Sequence, residues 1–367
     1  MLALAAFMGL LLLKSPEPSK QGEEITWGRM TSVMLPLLTY KEENGNPDMV
    51  YASKYEVPEW FYEDENAPES DTLSEASMQE KMVAETEKPQ IQEATAGITS
   101  YTKEQLAQPN FLLEHIFVVD SNTSMAADEI SLDNLLNDSV RVENLTYDSE
   151  SGIENAPPKI LIYHTHGSES FVDSRPNEKE DTIVGVGSYL TEILENEYHI
   201  PVYHDETAYD VIDGKLDRSK AYENAYANIT KILADNPSIE VVIDLHRDGV
   251  EEETHLVTTV NEKPTAKIMF LNGVSRSNMN GDIAYLNNPN KKMNLAFSFQ
   301  MYLEGKEKYG DYIRKIYVRS LRYNLHVMPR TTLIEVGAQN NTLEEEKNAM
   351  EPLADILNAV LSGEDSF

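Results

Sequence analysis

Apolar and polar positions follow two alternating patterns from about residue 156 to the end of the chain. Short apolar runs rich in β-branched residues predict strands, at 160–163, 200–203, 241–245, 267–271, 316–318 and 332–336. Between them, apolar residues recur every three or four positions and predict helices at 182–197, 219–235, 291–308 and 342–361. Residues 273–290, rich in Asn and Gly, predict a loop. This alternation is typical of an α/β fold, a largely parallel twisted sheet with helices on both faces.

The chain before residue 156 divides into three segments. Residues 1–14 are an apolar run shorter than the roughly 20 residues of a bilayer span, and we interpret them as a membrane anchor remnant or a signal segment, with a buried helix as the alternative. Residues 15–100 predict a largely disordered acidic linker, because residues 66–100 in particular hold too little apolar surface to offset chain entropy. Residues 101–155 regain apolar content and predict an accessory segment, with a helix turn and strand at 111–119 and a short helix at 130–136. It either docks on the domain formed by residues 156–367 or packs separately.

The composition limits which catalytic groups and which kinds of metal site the chain can have. The chain has 367 residues, a net charge of −33 and no cysteine. The absence of cysteine excludes disulfides, thiolate metal sites and a cysteine nucleophile, so a metal would be held by His and carboxylates. The strong negative charge argues against nucleic acid as a partner.

Three predicted strands end in residues that bind metals or transfer protons. The first leads into His166, the second ends at His246, and the third ends at Glu335. In open α/β sheets, functional sites form outside the carboxyl ends of the strands. A catalytic zinc takes three His, Asp or Glu ligands and keeps one position open, while a nearby carboxylate moves the proton. The pattern predicts one zinc hydrolase centre, with His166 and His246 as ligands and Glu335 as proton shuttle.

The third ligand is open between Glu169, which follows His166 after a turn at Gly167, and Glu180 or Asp181. Glu169 is the preferred candidate. His164 competes with His166, because the two share a face if the strand stays extended; one would be a ligand and the other would support it.

Two further residues have alternative roles. His326 either lines the site and steadies the oxyanion or lies at the surface. Arg247 either binds a substrate carboxylate or pairs with Asp244 or Asp248, and the pairing is favoured.

An ordered series of motifs resembles the stage II sporulation protein P family of endospore-forming bacteria. The resemblance covers residues from about 105 to 362 and rests on the stretches 163–171, 184–187, 244–248, 321–324 and 333–345. It implies that residues 156–367 are a zinc-dependent N-acetylmuramoyl-L-alanine amidase domain, with possible endopeptidase activity. Within it, His166 and His246 match metal-binding positions, and Glu335 matches the catalytic glutamate of related amidases.

The resemblance also implies a setting. Such proteins act on peptidoglycan during engulfment, beside a lytic transglycosylase and a multi-spanning membrane protein. They are anchored at the extracytoplasmic face of the cell membrane, between mother cell and forespore. Two rival functions remain: a zinc carboxypeptidase or endopeptidase acting on stem peptides, and a non-catalytic wall-binding scaffold.

Overall fold

A computed structural model describes residues 101–147, 152–153 and 156–363. The predictions for residues 1–14 and 15–100 lie outside the described residues. Within the described ranges, none of the helices combines the length and the hydropathy that a membrane span requires.

Seven of the described strands form one sheet, in the order β1-β12-β9-β13-β6-β2-β3. Its strands are β1 (Phe117–Val119), β2 (Ile160–Tyr163), β3 (Val202–His204), β6 (Val241–Asp248), β9 (Ile268–Gly273), β12 (Ile316–Arg319) and β13 (Thr331–Ala338). The other strands pair in three hairpins, β4 (Val211–Ile212) with β5 (Lys215–Leu216), β7 (Val257–Val260) with β8 (Lys263–Ala266), and β10 (Arg276–Ser277) with β11 (Gly281–Asp282). The last of these hairpins lies within the stretch predicted as a loop.

Neighbouring strands of the large sheet run parallel except at one junction, where β9 and β13 are antiparallel. The sheet therefore consists of two parallel blocks that run in opposite directions. The carboxyl ends of β2, β3, β6 and β13 meet at one edge, and those of β1, β9 and β12 meet at the opposite edge. The predicted, largely parallel sheet is confirmed.

Helices cover both faces of this sheet, as predicted. The described α-helices are α1 (Lys103–Leu106), α2 (Pro109–His115), α3 (Leu132–Leu135), α4 (Ile183–Asn196), α5 (Ala221–Asp235), α6 (Lys291–Tyr309), α7 (Leu343–Asn348) and α8 (Met350–Ser362). On one face, α4, α6 and α8 pack in a core with Ile160 and Ile162 of β2. On the other face, α5 packs on Leu161 and Tyr163 of the same strand. This alternation explains why β2 is apolar at every position.

The final predicted helix is two helices. Thr342 caps the N-terminus of α7 in a capping box, in which its side chain accepts from the Glu345 N–H and the Glu345 side chain accepts from the Thr342 N–H. The chain then breaks at Ala349, between α7 and α8. Pro352 explains the break, because a proline inside a continuous helix has no N–H to donate and its ring collides with the preceding turn.

The segment ahead of residue 156 contributes to the sheet and to the core. Its strand β1 is the edge strand beside β12. Leu112 and Leu135 are fully buried in the same core as α6. Gln300 of α6 donates to the Leu135 carbonyl over 3.1 Å, so hydrogen bonds as well as apolar contacts join this segment to the sheet domain.

Candidate functional site

The predicted site residues meet at the edge where β2, β6 and β13 end. His246 in β6 and Glu335 in β13 are paired in the parallel register, so their side chains project from the same face of the sheet. His166 and Glu169 lie in and just after the turn that follows β2. The structure therefore brings all four residues to one edge.

His246 is held between two carboxylates. Its Nε2 donates to Asp244 Oδ1 over 2.7 Å, and its Nδ1 lies 3.6 Å from Glu169 Oε2. Although burial lowers the pKa of His246, the charges of Asp244 and Glu169 raise it well above its usual 6.5. Because a carboxylate only accepts hydrogen bonds, Asp244 fixes one proton on Nε2, and the second proton of the charged ring lies on Nδ1, which faces Glu169. A metal ion bound at Nδ1 would replace that second proton.

Glu169 is a buried carboxylate with two different neighbours. The Arg247 N–H donates to its Oε2 over 3.0 Å, and the His246 ring lies beside the same oxygen. Burial alone would raise the pKa of Glu169, but His246 lowers it to about 2. Glu169 is therefore ionised at neutral pH, as a metal-binding carboxylate must be.

The two alternative third ligands lie in other surroundings. Arg175 binds both carboxylate oxygens of Asp181, with its Nε over 2.7 Å and its Nη2 over 2.9 Å. Glu180 is exposed. The structure places Glu169, rather than either of these, beside His246.

His166 lies against the other side of His246. The two rings are nearly perpendicular, with centroids 5.2 Å apart, and the Tyr222 ring stands 5.6 Å from His166. Burial lowers the pKa of His166 to about 3. A neutral imidazole is the form that binds metal ions, so burial keeps His166 in that form.

The prediction that His164 and His166 share a face is wrong, because the chain leaves the strand and turns at Thr165. His164 points away from the site. Its Nδ1 donates to the Leu245 carbonyl over 2.9 Å, and its Nε2 accepts from His204 Nε2 over 2.9 Å. Burial, followed by the neighbouring His204, lowers the pKa of His164 to about 3. His164 thus connects the end of β2 to β6, the strand that carries His246.

Two glycines of α4 make room for this arrangement. A Cβ at Gly187 would lie 2.6 Å from the His164 ring, and a Cβ at Gly185 would lie 2.1 Å from the Glu180 carbonyl oxygen. Both distances are far below van der Waals contact. Gly187 is therefore a packing requirement at the end of β2, and Gly185 is one at the segment that leads into α4.

Glu335 faces a pair of buried tyrosines. Burial raises the pKa of both Tyr222 and Tyr323, and the charge of Glu335 adds to the increase. The two tyrosine rings are 5.8 Å apart. The carboxylate of Glu335 therefore lies on the same side of the sheet as the ring that packs on His166.

Sequence reasoning missed several side chains that shape the site. Asp244 was considered only as a partner for Arg247, although it stands two residues before His246 on the same strand face, a spacing that could have revealed it. Tyr222 and Arg218 carried no motif signal. They reach the site because the helical segment that follows the β4–β5 hairpin brings them there.

The remaining candidates are engaged by neighbouring groups. The ring of His326 stacks on Tyr226, with centroids 5.1 Å apart. The guanidinium of Arg247 donates to the backbone carbonyls of Ser170 and Asp248, over 3.2 and 3.3 Å.

The chemistry of His166, Glu169 and His246 fits zinc, which binds imidazole nitrogens and carboxylate oxygens. Asp244 behind His246 supplies the carboxylate that commonly orients a metal-binding histidine. In the part of the chain that the structure describes, no group of three such side chains is already arranged as a metal site. Nδ1 of His246 faces Glu169 Oε2, and the His166 ring packs nearly perpendicular to the His246 ring.

Comparisons with known proteins identify the family. A family model of stage II sporulation protein P matches residues 29–358. The chain belongs to this family. The resemblance noted from the motifs is thereby confirmed.

A curated member of the family, stage II sporulation protein P of Bacillus subtilis (strain 168), is 23% identical over 209 residues. The match covers 54% of this chain and 49% of that protein, so it spans about half the length of the curated relative.

Two solved structures are also similar. The N-acetylmuramyl-L-alanine amidase Ami1 from Mycobacterium smegmatis has a TM-score of 0.36 and 12% identity, covering 57% of this chain and 96% of that one. The CwlD amidase from Clostridioides difficile, in complex with the GerS lipoprotein, has a TM-score of 0.31 and 16% identity, covering 56% and 95%. At these scores the likeness assigns neither activity nor substrate to this chain.

Proposed function

We propose that this chain is a zinc-dependent peptidoglycan hydrolase that cleaves the amide between N-acetylmuramic acid and the L-alanine of the stem peptide during sporulation. The observation that carries the proposal is the meeting of His166, Glu169 and His246 at one sheet edge, with Glu335 in register beside His246. Membership of the stage II sporulation protein P family supports the sporulation setting.

In this proposal His166, Glu169 and His246 hold the zinc ion. When bound, zinc polarises the scissile carbonyl and lowers the pKa of a water molecule. Glu335 accepts the proton of the attacking water on its carboxylate and delivers it to the nitrogen of the leaving amine. Asp244 holds the His246 ring in one orientation through Nε2.

The test is the zinc content and product release of the full chain, wild type beside His246→Ala, with sacculi as substrate. His255→Ala is the matched control, because the half-exposed His255 ring pairs with the Glu345 carboxylate and not with any of these ligands. We expect about one zinc per chain and free stem peptides with an N-terminal alanine, both lost in His246→Ala and retained in the control.

Other products would support the rival functions. Released D-alanine would identify a carboxypeptidase, and cleaved cross-links with intact muramoyl amides would identify an endopeptidase. Sacculus binding without hydrolysis, unaffected by His246→Ala or by removal of zinc, would identify a wall-binding scaffold and contradict the proposal.

We further propose the partners and the location that the family implies, a lytic transglycosylase and a multi-spanning membrane protein at the extracytoplasmic face of the cell membrane. A pull-down of the tagged full chain from sporulating cells tests them. Recovery of the chain in the soluble cytoplasmic fraction without either partner would contradict this part.

A further inference from the structure

Arg218 reaches the proposed site from a short segment that the mechanism does not use. It begins the 3-10 helix Arg218–Lys220, directly after the β4–β5 hairpin. The Asp217 N–H donates to the Asp210 carbonyl over 2.8 Å and closes the base of that hairpin. This closure fixes the point from which the Arg218 side chain extends.

The guanidinium of Arg218 lies near two carboxylates without hydrogen bonding to either. Its Nη2 is 3.7 Å from Glu169 Oε1, and its Nε is 3.9 Å from Asp210 Oδ2. Both distances exceed the 2.7–3.2 Å typical of N–H···O bonds. Its buried Nε has no hydrogen-bond partner among the described residues. The side chain is 31% exposed, so donors of this guanidinium remain available at a surface that adjoins the site.

The two carboxylates beside Arg218 also contact other groups. Arg247 N–H and the His246 ring hold Glu169. The backbone N–H and the hydroxyl of Ser168 both donate to Asp210. Arg218 donates a hydrogen bond to neither carboxylate at these distances, although its charge offsets theirs.

We propose that Arg218 is an anion-binding residue of the site and recognises a carboxylate of the substrate peptide. A guanidinium pairs with a carboxylate through two parallel hydrogen bonds, which gives both affinity and orientation. The identification of that carboxylate rests on the proposed function. In an acidic stem peptide it is the free α-carboxylate of the residue that follows the first alanine, and the same residue bearing a carboxamide would lose the pairing.

The test compares two soluble muramoyl peptides that differ only at this position, one with the carboxylate and one with the carboxamide. Binding is measured by calorimetry in buffer containing zinc, in a Glu335→Gln background so that the peptide is not consumed. The full chain carries in addition either Arg218→Gln or Lys220→Gln. Lys220 is exposed and lies two residues away, so it controls for the loss of one positive charge.

With Arg218 present, we expect the carboxylate peptide to bind about tenfold to a hundredfold more tightly than the carboxamide peptide. Arg218→Gln should abolish this preference, and Lys220→Gln should preserve it. Equal binding of the two peptides, a preference that survives Arg218→Gln, or an equal loss for both peptides would overturn the inference. The last result would mean that Arg218 only offsets the charge of Glu169 and Asp210.

Peptide release by the chain with Glu335 intact separates this inference from the proposed function. A carboxylate preference without any release would support the anion site and contradict the hydrolase. Release at equal rates from both peptides, with equal affinities, would support the hydrolase and contradict the anion site.

Discussion

Asp244→Asn offers the sharpest test of how the site is organised. Asp244 is fully buried and accepts three hydrogen bonds, from His246 Nε2 over 2.7 Å, from the Thr165 N–H over 2.9 Å and from the Thr165 hydroxyl over 2.6 Å. The first two bonds end on Oδ1, and the third ends on Oδ2. An asparagine can place its amide oxygen where Oδ1 lies and donate from its amide nitrogen to the Thr165 hydroxyl. The substitution therefore removes the charge while every partner is retained.

The expected loss follows from that difference. A hydrogen bond to a charged group contributes about 1.5–3 kcal/mol and a neutral one about 0.5–1.5 kcal/mol, so the His246 bond weakens by about 1 kcal/mol. This corresponds to a zinc affinity about fivefold lower, just below the roughly tenfold to hundredfold effects seen when such supporting groups are changed. Asp244→Ala removes all three bonds, and we expect a loss of about a hundredfold in zinc affinity and about 3–5 kcal/mol in the free energy of unfolding.

The measurement is the zinc dissociation constant by competition with a chromophoric chelator, with urea unfolding of the zinc-free protein alongside it. Thr165→Val is the matched control. It removes one hydrogen bond to the same charged carboxylate without touching His246, so stability should fall by about 1.5–3 kcal/mol while zinc affinity changes little. Wild-type zinc affinity in Asp244→Asn would refute the argument that Asp244 orients a metal-binding His246.

Three further predictions follow from other parts of the structure. Glu335→Gln should retain zinc but reduce peptide release from sacculi by about a hundredfold or more, because the proton has no carrier; unchanged release would exclude Glu335 as the shuttle. Gly187→Ala should lower the free energy of unfolding by about 1–3 kcal/mol in urea, because the new Cβ meets the His164 ring. Gly249→Ala, whose Cβ would come no closer than 4.0 Å to the Arg247 guanidinium, should change the free energy of unfolding little, and equal effects of the two substitutions would contradict the packing argument. Glu346 is fully buried, and burial raises its pKa well above 4.5. Because the folded chain binds this proton more tightly, the contribution of Glu346 to stability is full below about pH 4.5 and is lost as the pH rises through the folded-state pKa. In urea titrations at several pH values, the zinc-free Glu346→Gln variant should gain stability relative to wild type as the pH rises. Parallel plots of unfolding free energy against pH for the two proteins would contradict the argument that Glu346 is buried as the neutral acid.

The regular spacing of apolar residues along the longer strands and helices was enough to predict most of the fold. The predicted strand at 160–163 is confirmed as β2, and the helix at 182–197 is confirmed as α4 to within a residue at each end. The β7–β8 hairpin was missed because its turn residues, Asn261 and Glu262, carry no glycine, yet both adopt positive φ angles. A two-residue turn with positive φ at both positions is usually signalled by Asn-Gly or Asp-Gly. The antiparallel pairing of β9 with β13 could not be predicted from the apolar pattern either, since strand direction depends on pairing between distant segments.

The common face of His246 and Glu335 could be predicted from the strand ends, whereas the relation between His164 and His166 depended on a turn. His246 and Glu335 lie on strands, and their common face follows from the parallel register. His164 and His166 were expected on one face because extended backbone alternates, but a turn at Thr165 separates them. Arg218 approaches through a hairpin in a connection between α4 and α5, and no local sequence signal predicts where such a connection lies in space.

Hydrogen bonds to Asp244 join the segments that carry the candidate site, so the protein's own side chains fix the geometry of this sheet edge. The turn after β2 and the end of β6 are 79 residues apart in the chain at their contact, and Asp244 joins them by bonding Thr165 on one side and His246 on the other. A buried carboxylate is costly unless its hydrogen-bonding capacity is filled, and here the cost is offset only when both segments are in place. The same condition places Glu169 beside His246, because Glu169 follows that turn. Formation of the fold and convergence of the candidate ligands are therefore one event, and a variant that releases the turn should lose zinc affinity and stability together.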